Sequence, residues 1–229
     1  WKGSVFGPGA KAGGPNYVLQ MGHWQQADLP AAQADPAPEL TTLLTQCLKQ
    51  MPNDAAQTLL RASAGSYAWD WRSHFSQEHD PSQVLGEQNL FRYRPVEGIL
   101  LRAEDIDPVT LCQVVLAART CQARLTVSLP PSATEWAWLQ EAGDVQLIYE
   151  EEAYLVDRLR AAGGYDRLRS VTPISLVLRR AASDAHIGVI DAPVLANGRL
   201  ELRHYLREQA VTQTMHRYGN LLSAPEKGF

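Results

Sequence analysis

The chain has 229 residues, of which 45% are hydrophobic and 20% are charged, so it is long enough and apolar enough to fold around a sizeable core. Its formal net charge of -4 argues against a large basic surface, and we expect no nucleic-acid partner. The odd number of cysteines, with no CxxC pair, favours a reducing, cytoplasmic setting. No apolar run approaches the roughly 20 residues that a membrane-spanning helix needs, so we predict no direct membrane span.

The N-terminal part of the sequence reads as loop, linker and helix. Residues 1–28 join a Gly/Pro-rich loop, GPGAKAGGP, to an extended run, NYVLQMGHW, that suits a strand or an edge segment. They begin on Trp1 and a turn-rich stretch, so we expect the chain to be a piece of a longer protein. Residues 29–52 contain a Pro/Ala linker and then apolar residues at helical spacing that stop before a proline. A second helix, capped by Asn53 or Asp54, completes a predicted helical hairpin.

From residue 95 onward, short apolar runs alternate with helical patterns, which is typical of βαβ units and a parallel sheet. Asp107 and Ser132 are predicted to cap two of the helices, and Asn197–Gly198 to form a turn. Residues 199–220 fit a helix in their first half and a strand at VTQT. The sequence therefore predicts an α/β fold with a Rossmann-like parallel sheet and flanking helices, preceded by the helical hairpin and an extended N-terminal segment. Predicted strands cover residues 98–103, 124–130 and 145–150, and further apolar runs cover residues 175–180 and 186–193.

Several stretches of the sequence resemble a known family. SYAWDWRSHFSQEHDP and GEQNLFRYRP, within residues 66–95, resemble the entry to the NAD-binding domain of aldehyde dehydrogenases of the pyrroline-5-carboxylate type. The opening WKGSVFGPGAKAGGPNYVLQMG resembles the C-terminal tail of that catalytic domain, and RHYLREQAVTQTMHRYGNLL resembles the C-terminal segment of proline utilization A (PutA) proteins. The motif that resembles the C-terminal tail of a catalytic domain therefore comes before the motifs that resemble the entry to its NAD-binding domain. This order resembles the C-terminal region of a bifunctional PutA protein, in which an extra aldehyde-dehydrogenase-like domain follows the catalytic domains.

The resemblance implies that the chain has four parts. Residues 1–28 would be the tail of the preceding aldehyde dehydrogenase domain, and residues 29–52 a linker and first helix. Residues 53–198 would form a degenerate aldehyde-dehydrogenase-like α/β domain, and residues 199–229 a C-terminal docking segment.

The resemblance also implies where a working domain would carry its polar site groups. Ile106 stands where an asparagine would help to hold the thioester oxyanion, and Leu129 stands in place of a lysine that contacts the nucleotide ribose. Glu150, Glu151 and Glu152 replace the glycine-bearing turn that receives a diphosphate at a helix N-terminus. Carboxylates stabilise a helix N-terminus and repel a diphosphate, so we interpret these glutamates as helix-starting acids rather than ligands.

No other residues supply a catalytic site. The three cysteines lie on helical patterns and are predicted to be structural, and the histidines show no metal-ligand spacing. His79 is predicted to fix a turn through side-chain hydrogen bonds. Three aromatic residues have helical spacing, which favours core or interface packing over base stacking. We therefore predict no catalytic, cofactor-binding or metal-binding residue in this chain. The residues concerned are Cys47, Cys112 and Cys121, and Trp69, Trp71 and Phe75.

The sequence thus predicts a non-catalytic lid or scaffold domain of a bifunctional proline-catabolic enzyme. The resemblance implies that the parent uses FAD in a proline dehydrogenase and NAD in an L-glutamate gamma-semialdehyde dehydrogenase. It also implies that this domain, without a cofactor of its own, supports assembly and the channelling of pyrroline-5-carboxylate. Its partners would be the upstream catalytic domains, and self-association is left open. Two other functions stay open: an independent nucleotide-binding dehydrogenase-like enzyme, and an interaction module for an external partner.

Aromatic and apolar residues near the two ends of the chain form the candidate docking surface. The alternative is that both strips pack on their own domain. The candidate interface residues are Tyr17, Trp24, Tyr205, Met215 and Tyr218.

Overall fold

The computed structural model describes residues 10–11, 14–142, 145–162, 164–217 and 220–221. A five-stranded parallel sheet with helices on both faces lies at its centre, and a two-stranded antiparallel ribbon adjoins it. The helices are α1 (Pro38–Lys49), α2 (Asp54–Asp70), α3 (Pro108–Thr120), α4 (Trp138–Ala142), α5 (Glu152–Ala162), α6 (Leu176–Asp184) and α7 (Gly198–Glu201). The strands are β1 (Glu87–Pro95), β2 (Ile99–Arg102), β3 (Leu125–Leu129), β4 (Val145–Tyr149), β5 (Arg167–Ser170), β6 (Gly188–Ile190), β7 (Leu206–Thr214), β8 (His216–Arg217) and β9 (Asn220–Leu221).

The first two helices begin where the sequence supplies start signals. Pro38 occupies the first turn of α1, where its missing N–H costs nothing. The Asn53 side chain caps α2 by accepting a hydrogen bond from the Ala56 amide at 2.9 Å. Beyond its last residue, α2 continues into a single π-helical stretch, Trp71–Phe75. Both helices pack into the main core, which confirms the predicted pair of helices.

The sheet has the strand order β4-β3-β2-β5-β6, and its strands are parallel throughout. The chain moves from β2 through β3 to β4, crosses back to β5 on the other side of β2, and reaches β6. Side chains alternate between the two faces: Ile99 and Leu101 join the core made with α1, α2 and α3, whereas Leu100 joins a smaller core made with α5 and α6. This doubly wound order confirms the predicted Rossmann-like fold.

The sequence prediction misses one central strand. The β5 sequence RLRS looks polar, yet all four of its residues are buried between β2 and β6. Residues 175–180, predicted only as an apolar run, begin α6, because the Ser175 hydroxyl caps it by accepting from the Leu178 amide. Periodicity over such short segments does not separate a buried strand from a helix start.

Two predicted local signals are wrong in detail. Asn197 does not turn the chain back but caps α7, because its side chain accepts from the Leu200 amide at 3.2 Å. Ser132 does not cap a helix: a 3-10 turn, Thr134–Trp136, follows it, and α4 begins only afterwards. Both cases involve residues whose side chains serve turns and helix caps equally well.

The strands β1 and β7 form a long antiparallel ribbon, with pairs running from Glu87↔Thr214 to Pro95↔Leu206. β7 is buried at its start and exposed from Gln209 onward. The C-terminal stretch therefore contains both predicted forms, with a helix and a 3-10 turn leading into a strand. In the described part of the chain, no helix has the length and apolar character needed to cross a membrane.

Candidate functional site

The carboxyl edge of the parallel sheet is where a doubly wound fold places its ligands. The crevice lies outside the strand ends, at the point where the strand order reverses. That point falls between β2 and β5, whose last residues, Arg102 and Ser170, are partners in the sheet register. A nucleotide needs open space and free backbone N–H groups there. The contents of this edge therefore decide whether the domain can bind one.

Arg102 is 2% exposed, and its guanidinium bridges the ends of three neighbouring strands. Its Nη1 donates to Ser128 Oγ on β3 and to the backbone carbonyl of Glu150 just after β4, both at 3.0 Å. Its Nη2 donates to the Glu104 carboxylate at 2.9 Å. A buried guanidinium requires such partners. The chain thus places its own cation on this edge of the sheet.

The Glu150 carboxylate completes this arrangement on the α5 side. It is 8% exposed and accepts hydrogen bonds from Ser128 Oγ at 2.7 Å and from Arg158 Nε at 3.1 Å. Arg158 also donates to the Tyr165 hydroxyl at 2.7 Å. Burial lowers the pKa of Arg158, but its bonds to Glu150 and Tyr165 raise that pKa above its ordinary value on balance. We call Arg102, Ser128, Glu150 and Arg158 the edge cluster.

The interpretation of Glu150 as a helix-starting acid is wrong, because α5 begins at Glu152 and Glu150 is committed to the edge cluster. Glu152 fits that interpretation: it is the first residue of α5, and its carboxylate accepts from the Ser175 hydroxyl at 2.6 Å. Glu151 is exposed beside it. Both carboxylates place negative charge where a diphosphate would approach the helix.

Ile106 and Leu129, the two positions where the resemblance implies polar groups in a working domain, hold apolar side chains that pack inward. Ile106 packs against the main core, and Leu129 is 1% exposed. Next to Ile106, the Asp107 side chain caps α3 by accepting from the Thr110 amide at 3.0 Å. Neither Ile106 nor Leu129 can donate a hydrogen bond to an oxyanion or to a ribose.

Two of the cysteines, Cys112 and Cys121, are poorly placed to form a reactive thiolate. Cys47, Cys112 and Cys121 are all buried and free of disulfides. A hydrogen bond to Cys47 and burial raise the pKa of Cys112, and burial raises the pKa of Cys121. A thiol that keeps its proton at neutral pH is a poor nucleophile and a poor metal ligand.

His79 stabilises the turn that precedes the ribbon. Its Nε2 lies 2.9 Å from the backbone carbonyl of His74, and its backbone pairs with Phe91. The His74 ring stacks on His79 and lies 3.0 Å from the Tyr93 hydroxyl. Burial, the charge of Arg199 and His79 lower the pKa of His74 to about 4, so this ring is neutral at neutral pH. Among the described residues, no group of three or more potential ligands is placed to hold a metal ion.

Of the three aromatic residues predicted to pack in the core or at an interface, two pack in or against the core and one is exposed. Phe75 is 1% exposed in the main core, and Trp71 packs against that core. Trp69 is 45% exposed.

The candidate interface residues do not form one exposed surface. Tyr205 is fully buried, and Met215 is also buried, so both pack on their own domain, as the alternative stated. Tyr17 is half-buried. Trp24 lies at the surface, and its indole N–H donates to the Leu19 carbonyl at 2.8 Å. Tyr218 lies outside the described residues.

A second buried ion pair holds the C-terminal stretch against the sheet. Arg169 and Glu201 are 1% and 0% exposed, and Arg169 Nη2 lies 3.1 Å from Glu201 Oε1. Glu201 also accepts from the Tyr205 hydroxyl at 2.9 Å and from the Leu195 amide at 3.1 Å. The predicted boundary after residue 198 falls inside α7, and Glu201 and Tyr205, which follow it, pack with Arg169 of the sheet. We call Arg169, Glu201 and Tyr205 the core cluster.

Sequence reasoning misses both clusters. A signal was available for Arg102, which interrupts the otherwise apolar run GILLRA. A charged residue in a strand pattern buried on both faces needs a partner, and that requirement points to a buried ion pair. The identity of the partner depends on tertiary packing, because Glu150 and Glu201 come from distant parts of the chain.

Comparison with known proteins is informative only at the level of structure, because no protein-family model and no curated protein sequence matches the chain. PutA from Corynebacterium freiburgense matches with a TM-score of 0.62 and 28% identity, over 94% of this chain and 18% of that chain. A PutA variant from Bradyrhizobium japonicum matches with a TM-score of 0.48 and 16% identity, over 81% of this chain and 25% of that chain. The chain therefore spans less than a fifth of the Corynebacterium protein and a quarter of the Bradyrhizobium one. The structural similarity extends over nearly the whole chain and confirms its resemblance to PutA proteins.

Proposed function

We propose that this chain is a non-catalytic, aldehyde-dehydrogenase-like domain that acts as a lid or scaffold in a bifunctional proline-catabolic enzyme. The parent would use FAD and NAD in its own catalytic domains, and this domain would bind neither. Its role would be to cover the path of pyrroline-5-carboxylate between the two catalytic sites. The similarity to PutA supports the parent, and the edge cluster is the observation that supports the lack of catalysis.

The edge cluster opposes nucleotide binding through both space and charge. A dinucleotide at the switch point would have to displace Arg102 and separate Glu150 from its partners. Removing one partner of a buried ion pair costs about 3–5 kcal/mol, because the other charge is left uncompensated. Glu151 and Glu152 would then repel the diphosphate that had displaced the cluster. Occupation by the chain's own side chains is thus the more stable state of this edge.

A titration of the chain with NAD tests this part of the proposal. Circular dichroism first establishes that the sample is folded, and a matched titration with salt controls for ionic strength. We expect no binding heat and no rise in melting temperature at millimolar NAD. A dissociation constant below about 1 mM together with a raised melting temperature would support the nucleotide-binding alternative and overturn the proposal, because a ligand that binds only the folded state must stabilise it.

The lid role is tested in the full-length parent. Deleting only residues 200–229 is unsuitable, because it removes Glu201 and breaks the core cluster. The better comparison is the whole parent against a version that ends before α1, with each half-reaction assayed alone as a control. We expect both half-reactions to persist while NADH formation from proline acquires a lag. Coupled kinetics without a lag, with both half-reactions intact, would contradict channelling through a path that this domain covers.

A further inference from the structure

The N-terminal segment, residues 14–26, is fastened to the domain at one buried side chain. Asn16 is 2% exposed, although Val18 and Met21 close by in the sequence are 74% and 62% exposed. Its Nδ2 donates to Glu208 Oε1 at 2.6 Å and to the Tyr93 hydroxyl at 3.1 Å. Its Oδ1 accepts from Arg199 Nη1 at 2.8 Å. The carboxamide has found a partner for both its donor and acceptor groups.

The residues around Asn16 come from three separate elements and are themselves held in place. Tyr93 lies on β1, Arg199 on α7 and Glu208 on β7. The Tyr93 hydroxyl lies 3.0 Å from His74 Nε2, and the Arg199 guanidinium lies 5.2 Å from the centre of the Phe75 ring. Glu208 is 6% exposed. We call Tyr93, Arg199 and Glu208 the socket, because the fold of the domain positions them to receive one carboxamide.

Two further contacts hold the segment on either side of Asn16. The Lys11 amide donates to Glu208 Oε2 at 2.7 Å, and a β-carbon added at Gly14 would lie 2.6 Å from the same oxygen. Only glycine fits there without moving the carboxylate. At the other end, Gln26 Oε1 accepts from the Ala196 amide at 2.8 Å. The contacts at Lys11, Asn16 and Gln26 therefore fix the direction in which this part of the chain crosses the domain.

We infer that the socket is an interdomain docking surface, which fixes through Asn16 the direction in which the preceding domain of the same chain joins this one. This inference rests on the proposed function, in which catalytic domains precede this chain. The occupant is that preceding domain, which would cover the apolar side chains of Val18 and Met21, exposed at 74% and 62% close to the buried Asn16. In addition, the PutA chain that matches this one is more than five times as long as the matched part. A lid must keep a fixed orientation relative to the path that it covers, and a rigid connection between the two domains provides that orientation.

Hydrogen exchange measured by mass spectrometry on the 229-residue chain tests the socket without any catalytic readout. Asn16→Ala removes all three side-chain hydrogen bonds, and we expect exchange in residues 14–26 to accelerate at least tenfold while α3 and the parallel sheet exchange as before. Gln25→Ala is the matched control, because Gln25 is an exposed amide on the same segment. Exchange that is equally fast in the unmodified chain, or acceleration throughout the domain, would overturn the inference.

A rescue variant guards against general misfolding. Asn16→Asp places a carboxylate 2.6 Å from Glu208 and should release the segment as Asn16→Ala does. The double variant Asn16→Asp/Glu208→Gln exchanges donor and acceptor across the same contact, and we expect it to restore at least half of the lost protection. A double variant no better protected than Asn16→Asp would show that the contact does not hold the segment.

The interdomain step is tested by comparing the chain with its full-length parent. We expect amides around Val18 and Met21 to exchange at least tenfold more slowly in the parent, and Asn16→Ala to abolish that difference. Equal exchange in both proteins would overturn the docking of a preceding domain. The failure of the proposed function would look different, since it would appear as NAD binding or as coupled kinetics without a lag while the exchange pattern stayed as described.

Discussion

Arg102 and Arg169 lie on adjacent strands of one sheet, one position apart in register, and point to opposite faces. Arg169 shares the face of Leu101 and meets Glu201, with both charges sealed from solvent. Arg102 faces α5, where its cluster reaches solvent through Arg158, which is 24% exposed. The comparison separates two uses of a buried arginine. The core cluster fastens the C-terminal stretch to the sheet, whereas the edge cluster joins residues at the carboxyl ends of β2, β3 and β4.

The largest effect should come from breaking the core cluster. Glu201→Ala leaves Arg169 buried without its counter-charge, so we expect the free energy of unfolding to fall by about 3–5 kcal/mol in urea titrations. Asp191→Ala is the control, because the Arg179–Asp191 pair is 45% and 61% exposed and should contribute less than about 1 kcal/mol. Similar losses for the two variants would show that burial does not distinguish these pairs.

Breaking the edge cluster should have a smaller effect. Arg102→Met keeps much of the side-chain volume but removes the charged donor to Ser128 and to the Glu150 carbonyl, so we expect a loss of about 1.5–3 kcal/mol. Glu150 keeps Arg158 as its counter-charge, which limits the loss. Chemical denaturation measures the difference, and a loss matching that of Glu201→Ala would contradict the proposed division of roles.

A pH dependence should distinguish the two clusters, because the core cluster has the buried His204 beside it, whereas no buried histidine is found beside the edge cluster among the described residues. Burial and the charges of Arg169, Arg203 and Arg167 lower the pKa of His204 well below its ordinary value. In the unfolded chain this ring binds a proton near pH 6.5, so its contribution to stability is present above that pH and is lost as the pH falls. Between pH 7.5 and 5.5 we expect the unmodified chain to lose about 1 kcal/mol more than His204→Gln does. Parallel losses in the two proteins would show that His204 takes up its proton over the same pH range in the folded and the unfolded chain.

The helices and strands of this domain can be predicted from the sequence more reliably than the side-chain contacts at the candidate site. The caps Asn53 and Asp107 and the apolar runs of β2, β3 and β4 are local signals, and the structure follows them. The strand RLRS escapes prediction because its two arginines become buried only through partners at least 23 residues away. Glu150 escapes prediction for a different reason: its position before α5 indicates a helix start, but its carboxylate is held by hydrogen bonds from Ser128 and Arg158. Local patterns identify elements, whereas the pairing of buried charges is a property of the assembled sheet.

We expect the smallest loss of stability when the tyrosine hydroxyl that contacts each cluster is removed. Tyr205 donates to Glu201 and is fully buried, so Tyr205→Phe leaves a buried carboxylate with one donor fewer and should cost about 1 kcal/mol. Tyr165 accepts from Arg158 in a half-buried position, where water can take the place of the hydroxyl, so Tyr165→Phe should cost less than about 0.5 kcal/mol. The ring of Tyr165 stays beside the guanidinium in this variant, which preserves the contact at 5.6 Å. Both substitutions remove one oxygen atom, so the difference between their denaturation midpoints isolates the environment. A larger loss for Tyr165→Phe would mean that the edge cluster is the more tightly sealed of the two, and the assignment of roles to Arg102 and Arg169 would have to be reversed.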